Sequence, residues 1–382
     1  MSEYQYYEFQ AVDRPLTHEQ MSMLRAYSSR AQITPSSFVN VYNWGDFKGN
    51  PEKWMEKYFD AFLYLANWGS RWFMLRLPEK LLGEQVTSTY CAGESFFCYQ
   101  KVGNVILSFN TDDEDYEWAE GEGWLASLLP IRADLIRGDH RALYLGWLLA
   151  VQTEEIDDDT PEPPVPPGLG DLNASLDRLA EFLRIDRDLI AAAAECSPGE
   201  PAASLSEREI DAWVSNLPSQ EKDALLVRLI KGDDPHLAAE LQQRTILEMR
   251  SGEMPTKSTR RTADEIISRA ETLANARKKK EAKQRARERA KRQREQAERR
   301  KQYLESLAGR ESHLWAKIDK LIATRQPRQY DEAVSLLRDL LDLSDMQNTS
   351  SNFSARMDAL HSEHARKTTL VERFRKMKLI GG

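Results

Sequence analysis

The chain has 382 residues, with 53 Lys and Arg against 61 Asp and Glu, a formal net charge of −8 and a hydrophobic fraction of 41%. No stretch approaches the roughly 18 consecutive apolar residues of a membrane-spanning helix, so a membrane-embedded protein is excluded. Three cysteines cannot build a disulfide framework, and the opening MSEYQYYEFQAVDRP lacks the basic and apolar regions of a secretory signal, so a cytoplasmic location is expected.

The average charge hides a division. Residues 1–152 carry −7, residues 153–262 carry −11 and residues 263–382 carry +10. Aromatics divide as sharply, with 27 of the 34 Phe, Trp and Tyr before residue 153. A large rigid core therefore belongs to the first part, and a charged partner or an internal neutralising contact to the rest.

In chain order, residues 4–12 hold Tyr6, Tyr7, Phe9 and Val12 and read as a strand ended by Asp13-Arg14-Pro15. Thr17 with Gln20 three residues later opens a short helix through Met21, Leu24 and Tyr27. Residues 33–44 read as a second strand. After Pro51, Trp54, Tyr58, Phe59, Phe62, Leu63 and Leu65 recur at helical spacing. Residues 71–77 form a buried strand closed by Pro78, and residues 95–100 and 105–109 flank Lys101-Val102-Gly103-Asn104 as a hairpin. Residues 123–151 return to helical spacing. The first unit, residues 1–152, is thus expected to be α+β, an antiparallel sheet covered on one face by helices.

Candidate chemistry in this unit is thin. Asp112, Asp113, Glu114 and Asp115, with Glu117, Glu120 and Glu122 behind them, gather negative charge without the glycine and closing glutamate of a calcium loop. If residues 1–152 were an enzyme, Asp112, Asp113 and Asp115 would be its least implausible acids. Cys91 and Cys98, separated by six residues with no neighbouring histidine, read as a pair of buried small hydrophobes rather than zinc ligands. His18 and His140 stand alone. No GxGxxG, Walker A, GxSxG or HExxH pattern occurs. The expectation is a protein that is not an enzyme and that uses no cofactor or metal.

Residues 153–170, with EEIDDDTPEPPVPPGLG from Glu154, combine proline and acidic charge and read as an extended linker. Residues 171–250 read as a small bundle of short amphipathic helices, the most acidic part of the chain and so a protein-contact module rather than a DNA-binding one. Residues 251–261 look like a hinge.

From Thr262 a long helix is expected over residues 262–309, with no Gly or Pro before Gly309, roughly 70 Å at 1.5 Å per residue. Within it lie fourteen basic residues: Arg277, Lys278, Lys279, Lys280, Lys283, Arg285, Arg287, Arg289, Lys291, Arg292, Arg294, Arg299, Arg300 and Lys301. Only Glu281, Glu288, Glu295 and Glu298 oppose them, leaving +10 over residues 277–301. Glu281 with Arg285, Glu288 with Arg292 and Glu295 with Arg299 are spaced for i,i+4 pairs. The alanine stripe of Ala282, Ala286, Ala290 and Ala297 is too small for a strong leucine-type coiled coil. Two readings stand: a solvated helix spacing two modules of an adaptor, or a surface for nucleic-acid phosphates or another acidic partner. No aromatics interleave the charges, so base stacking is not indicated.

Residues 310–382 read as a helical hairpin, with helices through Leu314–Ile322 and Tyr330–Leu341 and a third marked by Phe353, Met357 and Leu360. His361 and His364 lie three apart without a third ligand. The stretch LWAKIDKLIATRQPRQYDEAVSLLRDLLDL, followed by HSEHARKTTLVERF, resembles the C-terminal tail of bacterial SWIM zinc-finger proteins. The opening YYEFQAVDRPLT with ITPSSFVNVYNWGDFKG resembles a bacterial family of unassigned function. The resemblance implies a bacterial intracellular protein in a nucleic-acid-related setting. The Cys-x-Cys and Cys-x-His pairs of the finger are missing here, so it implies no zinc ligand.

Overall fold

A computed structural model describes residues 3–112, 119–199, 205–232, 234–250 and 260–380. The fold is α+β: an antiparallel sheet followed by a helical region that contains one long helix. Two compact units divide it, residues 1–277 and 278–382.

The first unit is built on a seven-stranded sheet. In chain order it is formed by β1 (Gln5–Gln10), helix α1 (His18–Arg25), β2 (Gln32–Ile33), β3 (Ser37–Tyr42), helix α2 (Pro51–Lys57), β4 (Ala61–Ala66), β5 (Arg71–Pro78), helix α3 (Glu84–Tyr90), β6 (Phe96–Lys101) and β7 (Asn104–Thr111). The spatial order is β2-β3-β1-β4-β5-β7-β6, and every pairing is antiparallel. The Thr17–Gln20 capping box forms as expected, satisfying two orphan amides at the start of α1. The hairpin between β6 and β7 turns through Val102 and Gly103, both at positive φ (47° and 71°).

The helix expected through Leu65 stops at Lys57, and Ala61–Ala66 is a central strand instead. The spacing misled because this strand is buried on both sides. Leu63 and Leu65 face one core and Phe62 the other, so no polar residue marks the alternation. The sheet is also covered on both faces rather than one. Phe73, Leu75, Leu77, Leu107 and Phe109 meet helices α4 (Trp124–Leu128), α5 (Pro130–Ile136) and α6 (Arg141–Gln152). On the opposite face Phe9, Phe38, Phe62 and Met74 pack with Trp54 and Met55 of α2 and Leu24 of α1. Rings dominate there: Phe9 and Phe62 lie 4.4 Å apart and Phe38 meets Trp54 edge-on at 4.9 Å.

The proline-rich stretch is no spacer. Glu162 and Leu169 are buried, and Leu169 joins the main core. Helices α7 (Ala174–Phe182) and α8 (Arg187–Ala194) belong to that same core through Leu176, Leu179, Phe182, Leu189 and Ile190. Arg71 of β5 explains the attachment. Its guanidinium donates to the carbonyls of Glu181 (3.2 Å) and Phe182 (2.7 Å) and lies over the Phe182 ring. Proline density predicted extension, but the apolar residues between the prolines could be buried and so were.

Helices α9 (Glu207–Asn216), α10 (Ser219–Lys231) and α11 (Leu237–Arg250) follow, and they carry few buried residues. Polar contacts hold them. Lys80 and Arg228 each pair with Asp234 and Glu240, His236 meets Asp13, and Gln243 donates to the Ile136 carbonyl. Most of the expected hinge, residues 251–259, lies outside the described residues.

Helix α12 (Ala263–Leu307) opens with its own capping box between Thr262 and Glu265. The second unit has a separate core. Helices α13 (Glu311–Ala323) and α14 (Pro327–Met346) form the expected hairpin around Arg325 (φ 59°). Against it pack α15 (Ser350–His364) and α16 (Thr368–Lys376), which brings Leu370 and Phe374 into the core. The strong amphipathicity of α16 was the signal for this last helix, hidden by its basic composition.

Candidate nucleic-acid interface

The basic helix is anchored at its start, and its middle lies in solvent. At its start Ala263, Ile266 and Ala270 are buried in the core of the first unit. Arg261, just before it, pairs with the buried Glu162 (2.8 Å) and donates to the carbonyls of Ala192 and Ala193. Glu162 also accepts from the Tyr144 hydroxyl, whose ionisation burial and then that carboxylate oppose. This clamp explains how a helix with so little apolar surface can begin at a fixed place.

Not every basic residue expected to bind a partner is available. Arg277 is engaged by Asp188 at 2.7 Å. Arg300 is held by Asp339 (2.6 Å) and Asp342 (2.7 Å) within the second unit. Of the three expected i,i+4 pairs, Glu281 with Arg285 lies at 3.7 Å. Glu295 turns instead to Lys291 at 4.0 Å, and Lys301 pairs with Glu305 at 3.8 Å. Lysine and arginine stems are long enough to choose either neighbouring turn, so spacing alone does not select the partner.

What remains is a line of exposed cations. Lys278, Lys279, Lys280, Lys283, Arg287, Arg289, Arg292, Arg294 and Arg299 are all exposed and form no ion pair among the described residues. Their arrangement has an order that composition does not convey. With 3.6 residues per turn, Ala282, Ala286, Ala290 and Ala297 form one narrow stripe. Glu281, Glu288 and Glu295, seven apart, run along the opposite side. Lys278 and Arg289 border the alanine stripe on one flank, Lys283, Arg287 and Arg294 on the other. The helix thus presents a smooth strip between two cationic rails, with most of its carboxylates turned away.

In the first unit one group of charged side chains is fastened in the interior. Asp60, 1% exposed, accepts from the amides of Val12 (2.7 Å) and Asp13 (3.0 Å) and from Arg76 (2.7 Å). Arg132 donates to the Arg76 carbonyl (2.8 Å) and to Asp13 (2.6 Å), which His236 also approaches at 3.1 Å. Burial raises the Asp13 carboxyl, but hydrogen bonds from Arg132 and His236 outweigh it and hold the group below the usual carboxylate range. Arg76 was visible as a charge inside an apolar strand; its partners, far away in sequence, were not.

His18 is exposed on α1, and His140 sits at the start of α6, where burial lowers its pKa. His361 and His364 lie on α15. No cluster of three or more His, Cys, Asp or Glu suited to a metal occurs among the described residues. In the acidic loop Asp112 is exposed, whereas Asp113, Glu114, Asp115 and Glu117 lie outside the described residues. No described helix is long and apolar enough to cross a membrane. Comparison with protein-family models, with curated proteins and with solved structures finds no match to this chain.

Proposed function

We propose that this is a bacterial cytoplasmic interaction protein, without catalytic activity of its own, whose helix α12 binds nucleic-acid phosphates without sequence specificity. The observation that carries the reading is the pair of cationic rails flanking an alanine strip on Lys278–Arg299. Alanine is small enough to let a phosphate backbone lie against the helix, and arginine and lysine then reach it from both sides. Binding of this kind draws its free energy from counterion release and is blind to base identity. The resemblance of the C-terminal stretch to the tails of SWIM zinc-finger proteins fits the same setting.

The test is an anisotropy titration of the full chain against generic duplex DNA and RNA over a salt series. Binding at low salt that weakens linearly on a log–log scale is expected. No binding at low salt, or binding unchanged when the exposed lysines and arginines of residues 278–299 are replaced by glutamine, overturns it.

A second reading is a structural adaptor in which α12 is a spacer. It draws on α10, where Leu226, Leu229 and Ile230 are 55%, 64% and 83% exposed. A protein partner would cover such a strip. Pull-down of a defined protein that is insensitive to nuclease and to loss of the basic residues favours this reading over the first.

A further inference from the structure

Helices α1 and α2 pack on the same aromatic core of the first unit, and their facing flanks leave a cleft of about 330 Å³ between them. Leu24 and Trp54, both buried, line its inner part. Met23, in the last turn of α1, and Tyr27, one turn further on, line one wall and stay 45% and 44% exposed. The Tyr27 ring stands edge-on to Trp54, their centroids 5.2 Å apart, so the apolar lining is continuous from the core to solvent.

The other wall is cationic. Lys53 and Lys57 of α2 line the cleft, with Tyr58 at the C-cap of the same helix. Both lysines are exposed, and neither forms an ion pair among the described residues. Four residues apart on a helix, they stand on one side of it, close enough for a single acidic group to meet both ammonium groups. The carboxylates sort the other way. Glu56 pairs with Lys101 of β6 at 3.8 Å, and no Asp or Glu lines the cleft among the described residues. Two unneutralised cations thus face one apolar cleft in a part of the chain, residues 1–152, that carries −7. Lysine stems often lie over apolar surface and cover it. Here Met23 and Tyr27 remain open, so covering is not what the lysines achieve.

We propose that the cleft between α1 and α2 binds a small aromatic acid. The ligand's flat apolar body lies against Met23, Tyr27 and Trp54, and its acidic group reaches Lys53 and Lys57. The volume is near the lower end for ligand pockets, roughly 300–1,000 Å³. That admits one or two rings and excludes a dinucleotide. Rings meeting Tyr27 and Tyr58 edge-on or offset gain more than their buried area alone supplies. The lysines add orientation, since only one end of such a molecule carries charge. A carboxylate and a phosphate monoester would both satisfy this chemistry, because lysine acts as a point charge and does not impose the paired geometry of arginine.

The test is isothermal titration calorimetry of the full chain with 2-naphthoate, 2-naphthyl phosphate and the neutral 2-naphthamide. Saturable binding of at least one acid at one site per chain is expected, with the amide about tenfold weaker. The tighter of the two acids identifies the preferred acidic group. Lys53→Gln combined with Lys57→Gln should bring the acid down to the affinity of the amide while leaving the amide unchanged. Tyr27→Ala should weaken acid and amide alike. Glutamine at Lys278, Lys279, Lys280 and Lys283 of α12 should change nothing, which separates this site from the basic helix. No saturable binding of either acid at millimolar concentration, or equal affinity for acid and amide, overturns the proposal. So does acid binding that is lost with the α12 lysines and kept without Lys53 and Lys57. The comparison of acid with amide is made on the wild-type chain and does not depend on any variant folding.

Discussion

Asp60 shows how a single carboxylate can be kept in the interior. It receives two backbone amides and an arginine fork at 1% exposure, so nearly all its lone pairs are engaged. Removing its charge leaves Arg76 buried without a counterion, which typically costs about 3–5 kcal/mol. Asp60→Asn should therefore lower the urea midpoint strongly with little change in slope. Val102 points the other way. It occupies a turn position at φ 47° with its side chain 87% exposed, a conformation that a β-branched residue resists and Asn-Gly favours. Val102→Asn should raise stability by roughly 1 kcal/mol in the same unfolding measurement. The two positions also differ in how far the sequence announces them. The Val102-Gly103 turn is local and was legible between its two strands. The Asp60 network joins residues from 12 to 236, and no spacing rule reaches that distance.

At the level of elements, β4 and α12 mark the two extremes of legibility. The first looked helical because burial on both sides removed the polar half of its pattern, which is a general blind spot for central strands. The second was legible as a helix and as a charge, since it is long, unbroken and almost free of tertiary packing. What its composition concealed was the sorting of its charges into flanks, with Arg277 and Arg300 withdrawn into ion pairs. That sorting makes a quantitative prediction for phosphate binding. Replacing Lys278, Lys279, Lys280 and Lys283 by glutamine should reduce the log–log salt slope by about 0.9 for each duplex phosphate no longer neutralised. Circular dichroism should remain helical, because these side chains make no ion pairs among the described residues. An unchanged slope would assign phosphate neutralisation to other residues.

Across the whole molecule, a net charge of −8 resolves into an acidic first unit with an aromatic core and a basic helix that leads into a second, smaller core. Within the first unit, α9, α10 and α11 are joined chiefly by charge, and Asp234 is the centre of that attachment. Burial raises its carboxyl, but Lys80, Arg228 and the His236 amide outweigh that and hold it at about 2. A depressed carboxylate stabilises the fold above its unfolded value near 3.8 and loses that contribution as pH falls toward 2. Asp234→Asn should thus lower the thermal midpoint at neutral pH, and its difference from wild type should close between about pH 4 and 2. The same cluster is open enough to water for dissolved ions to screen it. The three helices are then a gauge of ionic strength: added salt loosens their seat while the aromatic core beneath keeps its grip. A salt series meant to count phosphates on α12 would also register this undocking, so the count belongs to the difference between wild-type and glutamine-substituted chains measured at each salt concentration.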